Sequence, residues 1–453
     1  MLTAPAVQAA SIIDQAAENM PVLIQEIELS HPLPVLSASN AITGLFYRSA
    51  RCLIRLHDQP LGIVEVLFEQ ESLAASDYMQ QIWNELRIQI NEHLRQDGLP
   101  SIAQLEPGGV SSSTPPACIQ EREAFTAYAP FVSIIVSTHN RPESLSACLP
   151  MLVTQRYPNY EVLIVDNAPS NSATADLIQQ NYTSVAHLRY VREDRPGLSR
   201  GLNRGIAEAR GEILAFTDDD VIVDSYWLLQ LVQAFNLADK VACVTGLVLP
   251  QELETPAQFW FEEYGGFSKG FQRRIYDMGE HHTREPLYPY TAGRFGTGAS
   301  MAFRSAFLKS CGGFDLALQA GMDIAAFFQV IRQGYQLVYE PAALAHHTHR
   351  RSYSDLQRQI YSYGVALTAY LTKNILDNPR LLFELLIKIP YGFFFTLSVR
   401  SPKNKKKSPG YPKKLTQLEL RGLLCGPFVY IWRRSVLTFT ALSPHAAQEN
   451  RAQ

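Results

Sequence analysis

Cysteine is scarce in this chain. Six cysteines (Cys52, Cys118, Cys148, Cys243, Cys311, Cys425) are scattered over 453 residues, with no C-x-x-C pair. That spacing argues against a disulfide framework or a zinc site and fits a reducing compartment. Charge of one sign is lacking too. Forty Lys+Arg against 43 Asp+Glu leave a net charge of -3, which gives no global sign of nucleic-acid binding. No segment reaches the ~18–20 uninterrupted apolar residues of a spanning helix. The nearest, Leu381 to Val399, is broken by Glu384, Lys388 and Pro390. The opening residues, MLTAPAVQAASIIDQAAENM, have no basic n-region and no continuous apolar h-region, so no signal peptide is expected. The composition is that of an ordinary soluble protein, 46% hydrophobic and 18% charged, with length for roughly two or three domains.

Residues 1–105 carry short strand-like runs, such as Gly62 to Phe68, and an amphipathic stretch from Asp77 to Arg95 that reads as a helix. A small α+β domain is expected there. Residues 106–129, rich in Pro, Gly and Ser, read as a linker. From Phe131 strands and helices alternate: Val132–Ser137, Pro142–Gln155, Tyr160–Val165, Ala173–Gln180, Leu188–Val191, Ser199–Ala209, Ser225–Phe235 and Val241–Val248. Repeated βαβ units predict an α/β domain over 130–352, with a mainly parallel sheet covered by helices on both faces. Residues 353–453 read as helical. They hold the apolar Leu381–Val399 stretch and a basic block of Lys403, Lys405, Lys406, Lys407, Lys413 and Lys414.

The most telling residues are Asp218, Asp219 and Asp220, which close the apolar run Glu212 to Thr217. In open α/β sheets, ligands bind at the carboxyl ends of the strands. In an extended segment Asp218 and Asp220 face the same way. Together they suit a hard divalent cation that would hold phosphate oxygens. A solvated cap or turn is the plainer reading of an isolated Asp run. Asp166 also ends an apolar strand, where it can accept from a ribose hydroxyl or a base N–H, or simply cap a helix. Asp194 precedes a Pro-Gly turn, and Arg200 and Asn203 lie one turn apart on the next helix.

The ordered series VSIIVSTHNRPESL, EVLIVDNAPS, PGLSRGLNRG, GEILAFTDDD, GTGASMAFR, GGFDLAL, GMDIAAFFQVIRQGY and LVYEPAALAHHTHRR resembles family 2 glycosyltransferases of the GT-A fold. The likeness spans about Val132 to Arg351, and the flanks resemble bacterial members with an N-terminal extension. The resemblance implies a Rossmann-like nucleotide-diphospho-sugar transferase domain. It implies inverting transfer from a nucleotide-sugar donor, a UDP-sugar, to a hydroxyl on a glycan or lipid-linked acceptor, with Mn²⁺ or Mg²⁺ as cofactor. Residue by residue, it assigns Asp166, Asp194 and Asp218 to the donor; Asp219 is a secondary donor candidate, and Arg200 and Asn203 are donor candidates because one turn of helix lets them face the same cleft. It assigns Asp218, Asp220 and His347 to the metal, and Asp323 to the general base. The family's usual Glu-Asp pair is Met322-Asp323 here, a following acid is Ala325, and a downstream Arg is Gln329. Asp315 is a fallback acid.

Two other readings compete. The thinned base motif allows a nucleotide-sugar-binding protein without efficient transfer. A sugar nucleotidyltransferase would need a Gly-rich phosphate loop after the first strand, where Ser137 to Arg141 stand instead. Gly296 to Met301 would let backbone approach a ligand, and Trp260, Tyr264 and Phe267 either line an acceptor groove or pack in a core. The basic, apolar C-terminal region is either a helical cap on the catalytic domain or a peripheral attachment to the inner face of a membrane in the cytoplasm. No nucleic acid is expected among the partners.

Overall fold

The computed structural model describes residues 20–41 and 43–442. Residues 1–19, on which the signal-peptide expectation rests, and the last residues of the C-terminal region lie outside them.

The N-terminal unit holds β1 (Val22–Glu28), β2 (Leu36–Ser37), β3 (Ser49–Leu56), β4 (Gln59–Leu67), β5 (Ser72–Leu73) and α1 (Ala75–Gln96). β1 runs parallel to β3, and β3 antiparallel to β4. Strand β4 alternates, with Val64 and Val66 inward and Glu65 outward. Its inner face and α1 close one core, because Tyr78, Ile82, Leu86, Ile90 and Leu94 recur at helical spacing. The stretch read as a linker differs from that expectation. It holds α2 (Ala117–Thr126), and Val110 is buried with its N–H on Leu29 O at 2.6 Å. Its Pro, Gly and Ser residues shape packed turns and do not form a free tether.

The central sheet is built from β6 (Val132–Thr138), β7 (Tyr160–Asn167), β8 (Leu188–Glu193), β9 (Ile213–Asp218), β10 (Val221–Val223), β11 (Val241–Pro250), β12 (Arg274–Tyr276), β13 (Met301–Arg304) and β14 (Gln336–His347). Their order is β10-β14-β11-β13-β9-β6-β7-β8, with β12 paired to β14. Strands β6, β7, β8, β9, β11 and β14 run one way; β10, β12 and β13 run against them. The sheet is therefore mainly parallel, as the βαβ pattern predicts. Interspersed are α3 (Pro142–Val153), α4 (Ala173–Asn181), α5 (Leu198–Glu208), α6 (Trp227–Gln233), α7 (Pro256–Tyr264), α8 (Ser305–Ser310) and α9 (Met322–Arg332). Helices cover both faces. Leu202, Ile206, Phe327 and Phe328 pack on Phe216 from one side, and Leu145, Leu149, Trp227 and Leu231 pack on Val136 and Ile164 from the other. Burial on both faces explains why the strands read as continuous apolar runs.

Helix α5 lies close on the sheet because Gly205 has no side chain; a Cβ there would overlap Ile135. The C-terminal region forms α10 (Tyr353–Asp377), α11 (Leu381–Leu397) and α12 (Lys413–Leu442). Helices α10 and α12 meet backbone to backbone at Gly422, where a Cβ would overlap Tyr361 O.

Replacing Gly205 with Val forces α5 off β6. Overpacking of this kind costs about 1–3 kcal/mol. Urea denaturation should show the midpoint fall by a corresponding amount, and an unchanged midpoint would mean that this contact does not set the packing.

Candidate active site

The three aspartates leave the carboxyl end of β9 and turn into β10, which pairs antiparallel with the end of β14. Val221 lies opposite His347 in that pairing, and Thr348 N donates to Asp220 O at 3.0 Å. Two segments more than a hundred residues apart thus meet, with His347 Nε2 3.4 Å from Asp220 Oδ1.

The triplet is not one extended segment, so the strand alternation that would set Asp218 and Asp220 on one side does not run through it. Asp218 ends the strand, whereas Asp219 and Asp220 occupy a turn. Asp219 points inward: it accepts from Thr138 Oγ1 at 2.7 Å and from Arg141 Nη1 at 2.6 Å. Arg141 also donates to Asp220 Oδ2 at 2.9 Å, and Arg350 lies 3.4 Å from the same oxygen. Asp218 has no hydrogen-bond partner of its own among the described residues. Burial, then the like charges of Asp220, Asp219 and Asp323, push its carboxyl up to about 8. Burial also raises Asp220, but His347, Arg141 and Arg350 outweigh it and hold that carboxyl below the usual range.

Asp323 stands in the first turn of α9 and accepts Gly298 N–H at 2.8 Å. A Cβ at Gly298 would stand 3.3 Å from that carboxylate, a tight contact that glycine avoids. Burial raises the Asp323 carboxyl. Met322 and Ala325 are buried in the apolar core. With Gln329 they line a 410 Å³ cavity on another face of α9, so they do not border Asp323's partners. Asp315, the fallback acid, belongs to that cavity as well. It accepts from Ala317 N and Tyr430 Oη, as a turn residue would.

The histidines form a directed chain. His347 Nδ1 lies 2.9 Å from His349 Nδ1, and His349 Nε2 lies 3.0 Å from Glu262 Oε1. Glu262 can only accept, so His349 donates from Nε2 and receives at Nδ1. His347 must then carry its proton on Nδ1, which leaves the Nε2 lone pair facing Asp220. A lone pair set against a carboxylate is unfavourable unless a cation lies between them. Burial, partly opposed by Asp220, lowers His347 to about 4 and keeps it neutral. Phe267 packs edge-on against His347 at 4.9 Å, and Trp260 is buried against Tyr353. These aromatics are therefore packing residues.

The expected donor residues separate. Asp166 is buried at the end of β7; Tyr190 Oη donates to its Oδ2 at 2.9 Å, while Oδ1 is buried with no partner among the described residues. Asp194 is exposed beside Arg192 at 2.6 Å, outside the cluster. Arg200 lies on α5 near Arg433 rather than near the carboxylates. Asn203 corrects the expectation that it faces the cleft. Its amide clamps the main chain of Phe314, accepting from N and donating to O at 2.8 Å each. Sequence reasoning missed Thr138 and Arg141, and also Lys269, which burial lowers to about 8 and which feels Glu262 and Asp323. The loop His139 to Arg141 follows the first strand of the sheet, and this position was the one available signal for Arg141.

A family profile described as "Glycosyltransferase like family 2" matches residues 129–361, just over half of the chain. The chain belongs to this glycosyltransferase family. A Haloferax volcanii glycosyltransferase, AglE, is 38% identical over 106 residues, which cover 23% of this chain and 34% of that protein. The pre-mycofactocin glycosyltransferase of Mycobacterium tuberculosis is 24% identical over 233 residues, 51% of this chain and 46% of its own. The match therefore spans under half of either relative. The Methanococcus voltae dolichyl N-acetyl-alpha-D-glucosaminyl phosphate 3-beta-D-2,3-diacetamido-2,3-dideoxy-beta-D-glucuronosyltransferase is 23% identical, over 59% of this chain and 80% of its own. Among solved structures, a Pyrobaculum calidifontis mannosyltransferase, PcManGT, in complex with GDP-Man and Mn²⁺ aligns at TM-score 0.42 and 19% identity, over 72% of this chain and 80% of its own.

The depressed His347 has a consequence for stability. An unfolded histidine protonates near 6.5, whereas this glycosyltransferase holds His347 neutral down to about 4. The unfolded state binds more protons in that window, so the stability tied to His347 is complete above pH 6.5 and is lost as pH falls toward 4. His347→Gln should flatten this part of the profile by roughly 2–3 kcal/mol. Urea unfolding at several pH values checks it; an unaltered slope would assign the titration to another group.

Proposed function

We propose that this glycosyltransferase moves a sugar with inversion from a nucleoside-diphosphate donor, a UDP-sugar by resemblance, to a hydroxyl acceptor in glycan, polysaccharide or glycolipid synthesis. The observation that carries it is the meeting of Asp218, Asp219, Asp220, Asp323 and His347 at the carboxyl edge of a mainly parallel sheet.

A divalent cation fits this set. Asp220 Oδ1 lies 3.4 Å from His347 Nε2, the partnerless Asp218 carboxylate stands near enough to feel the charge of Asp220, and among the described residues Arg141, Arg350 and, toward Asp323, Lys269 oppose the negative charge. Mn²⁺ or Mg²⁺ bound by Asp218, Asp220 and His347 would neutralise the donor's diphosphate. The chain's own residues do the rest. Asp219 and Arg141 lock the turn. Asp166 Oδ1, buried and partnerless, is available to a ribose hydroxyl or base N–H. Asp194 and Arg200 remain candidates for the donor's outer edge. Asp323 removes the acceptor's proton as its oxygen forms a bond to the anomeric carbon; the bond from that carbon to the diphosphate oxygen breaks, and the nucleoside diphosphate leaves. Burial and the Gly298 amide fix this base, and its raised pKa favours proton capture.

The acceptor reading is a lipid-linked glycan, supported by a relative named for a dolichyl substrate. Among the described residues no helix is long and apolar enough to cross a membrane. Helix α11 nonetheless exposes Phe383, Ile387 and Phe393, and α12 exposes Phe428, Trp432 and Phe439. Exposed Lys405 and Lys406 lie between these helices and exposed Lys413 and Lys414 open α12, a combination suited to an anionic lipid surface at the cytoplasmic face.

Three measurements test this. In a nucleotide-sugar panel with Mn²⁺, the specific donor should raise the melting temperature. Asp220→Ala should lose the metal-dependent part, and Asp323→Asn should keep donor binding while transfer falls by about 10²–10⁴. Full transfer by Asp323→Asn would move the base elsewhere. In sedimentation with vesicles, the chain should follow those containing anionic lipid at low salt. Lys405→Glu with Lys406→Glu should weaken that binding, and equal binding to neutral vesicles would refute the electrostatic part.

A further inference from the structure

A second group of ligand-type side chains lies in the N-terminal unit, apart from the carboxylate edge. His57 sits in the tight turn between β3 and β4. His93 is in the last turn of α1, Asp97 caps that helix, and Cys118 opens α2. Each offers one ligand atom, and these four atoms lie within 4.8 Å of one another.

Their geometry is hard to satisfy with hydrogen bonds alone. His57 Nδ1 lies 2.6 Å from Asp97 Oδ2, His93 Nε2 3.1 Å, and Cys118 Sγ 3.2 Å from the same oxygen. The two ring nitrogens are 3.2 Å apart. Three donors thus crowd a single carboxylate oxygen, which has two lone-pair directions. Asp97 Oδ1 is already taken by Cys118 N–H at 3.0 Å. A tetrahedral zinc with bonds of about 2.0–2.3 Å needs ligand separations of roughly 3.3–3.7 Å. The His57–Asp97 pair, now 2.6 Å apart, would open by about 0.7 Å, and the three pairs at 3.1–3.2 Å by a few tenths of an ångström, to surround an ion.

The surroundings hold the ligands in this arrangement. His57 and Asp58 adopt left-handed φ of 54° and 65°, which disfavour residues with a Cβ. Glu28 accepts both their amides, at 2.9 and 3.0 Å. Arg122 of α2 donates to His57 O at 3.0 Å and to Asp58 Oδ2 at 2.9 Å. This strained turn aims the His57 ring at the cluster. Buried His57, His93 and Asp97 exclude water, and partly exposed Cys118 leaves a path for a metal.

We propose that His57, His93, Asp97 and Cys118 form a structural zinc site that fastens the β3–β4 turn to α1 and α2. Two imidazoles, a thiolate and a carboxylate make a mixed set that zinc accepts in a closed tetrahedron. The site bears on the catalytic sheet through α2. Arg122 stacks over the Tyr226 ring at 4.4 Å, just beyond the aspartate turn.

The test uses the full chain, purified without a metal-binding tag. Elemental analysis should find about one equivalent of zinc, retained in Asp220→Ala and lost in Cys118→Ser combined with His93→Gln. Since that double variant can fail to fold, Co²⁺ is also added to the unaltered, metal-stripped protein. A thiolate-to-cobalt charge-transfer band is expected, absent in Cys118→Ser alone. No such band with the unaltered chain, or its persistence in Cys118→Ser, overturns the site and leaves a hydrogen-bonded polar cluster.

Discussion

The pairing of Val221 with His347 is the constraint on which the site depends. Strand β10 is only three residues long. It nevertheless folds the chain back immediately after the aspartates and lays them against the end of β14. Without that pairing Asp220, at the end of β9, and His347, at the end of β14, would be separated by the two intervening strands β13 and β11. The register also sets which imidazole meets the carboxylate. His346 lies opposite Ile222 and turns toward Glu26 instead, because neighbouring residues in a strand face opposite sides.

Charge is the second constraint. Four carboxylates, Asp218, Asp219, Asp220 and Asp323, share one buried edge, and Arg141 and Arg350 balance only part of their charge. Arg141 joins two adjacent aspartates, so the turn is held even though like charges oppose it. Asp218 is left with the strain of the cluster, visible as a carboxyl raised by burial and by its acidic neighbours. The loops that follow β6 and β7 pay a related conformational cost. Asn140 and Ala168 have φ of 52° and 50°, and Asn140 Oδ1 binds Ser170 N at 2.9 Å to lock the two loops together. Strained backbone at the carboxyl edge of a sheet is where ligand sites gather.

The sheet was legible in the sequence because its strands are buried on both faces and bounded by helical periodicity. Asp166 and the aspartate triplet stood out as candidates because each ends an apolar strand, whereas Asp323 was reached through the family resemblance alone. What escaped depended on contacts that spacing cannot encode. Arg141 and Asp219 meet across 78 residues, and nothing local distinguishes this arginine from a solvated one. Asn203 looked like a cleft residue from its helical position, but the Gly313 turn comes so close that its amide is bound to backbone. The linker signal failed for a similar reason, since proline and glycine mark turns whether those turns are free or packed. The cluster of His57, His93, Asp97 and Cys118 was invisible because its members are 36, 4 and 21 positions apart, a spacing unlike any short metal motif.

The chain of proton donors behind His347 explains why an N-terminal unit should accompany this catalytic sheet. Glu262 fixes the tautomer of His349, and through it that of His347. Glu262 is in turn faced by Arg51 of β3, 3.5 Å away. Arg51 thus stands as a counter-ion behind the acceptor that ends the chain, so the N-terminal unit backs the outer partner of His349. Arg55 of the same strand binds Asp224 at 2.9 Å, directly after β10. One strand of the N-terminal sheet thus places one cation just after β10 and another at the outer end of the histidine chain. The two units meet where Asp220 and His347 are positioned, which makes β3 part of the support of the site and not merely an appended domain's edge.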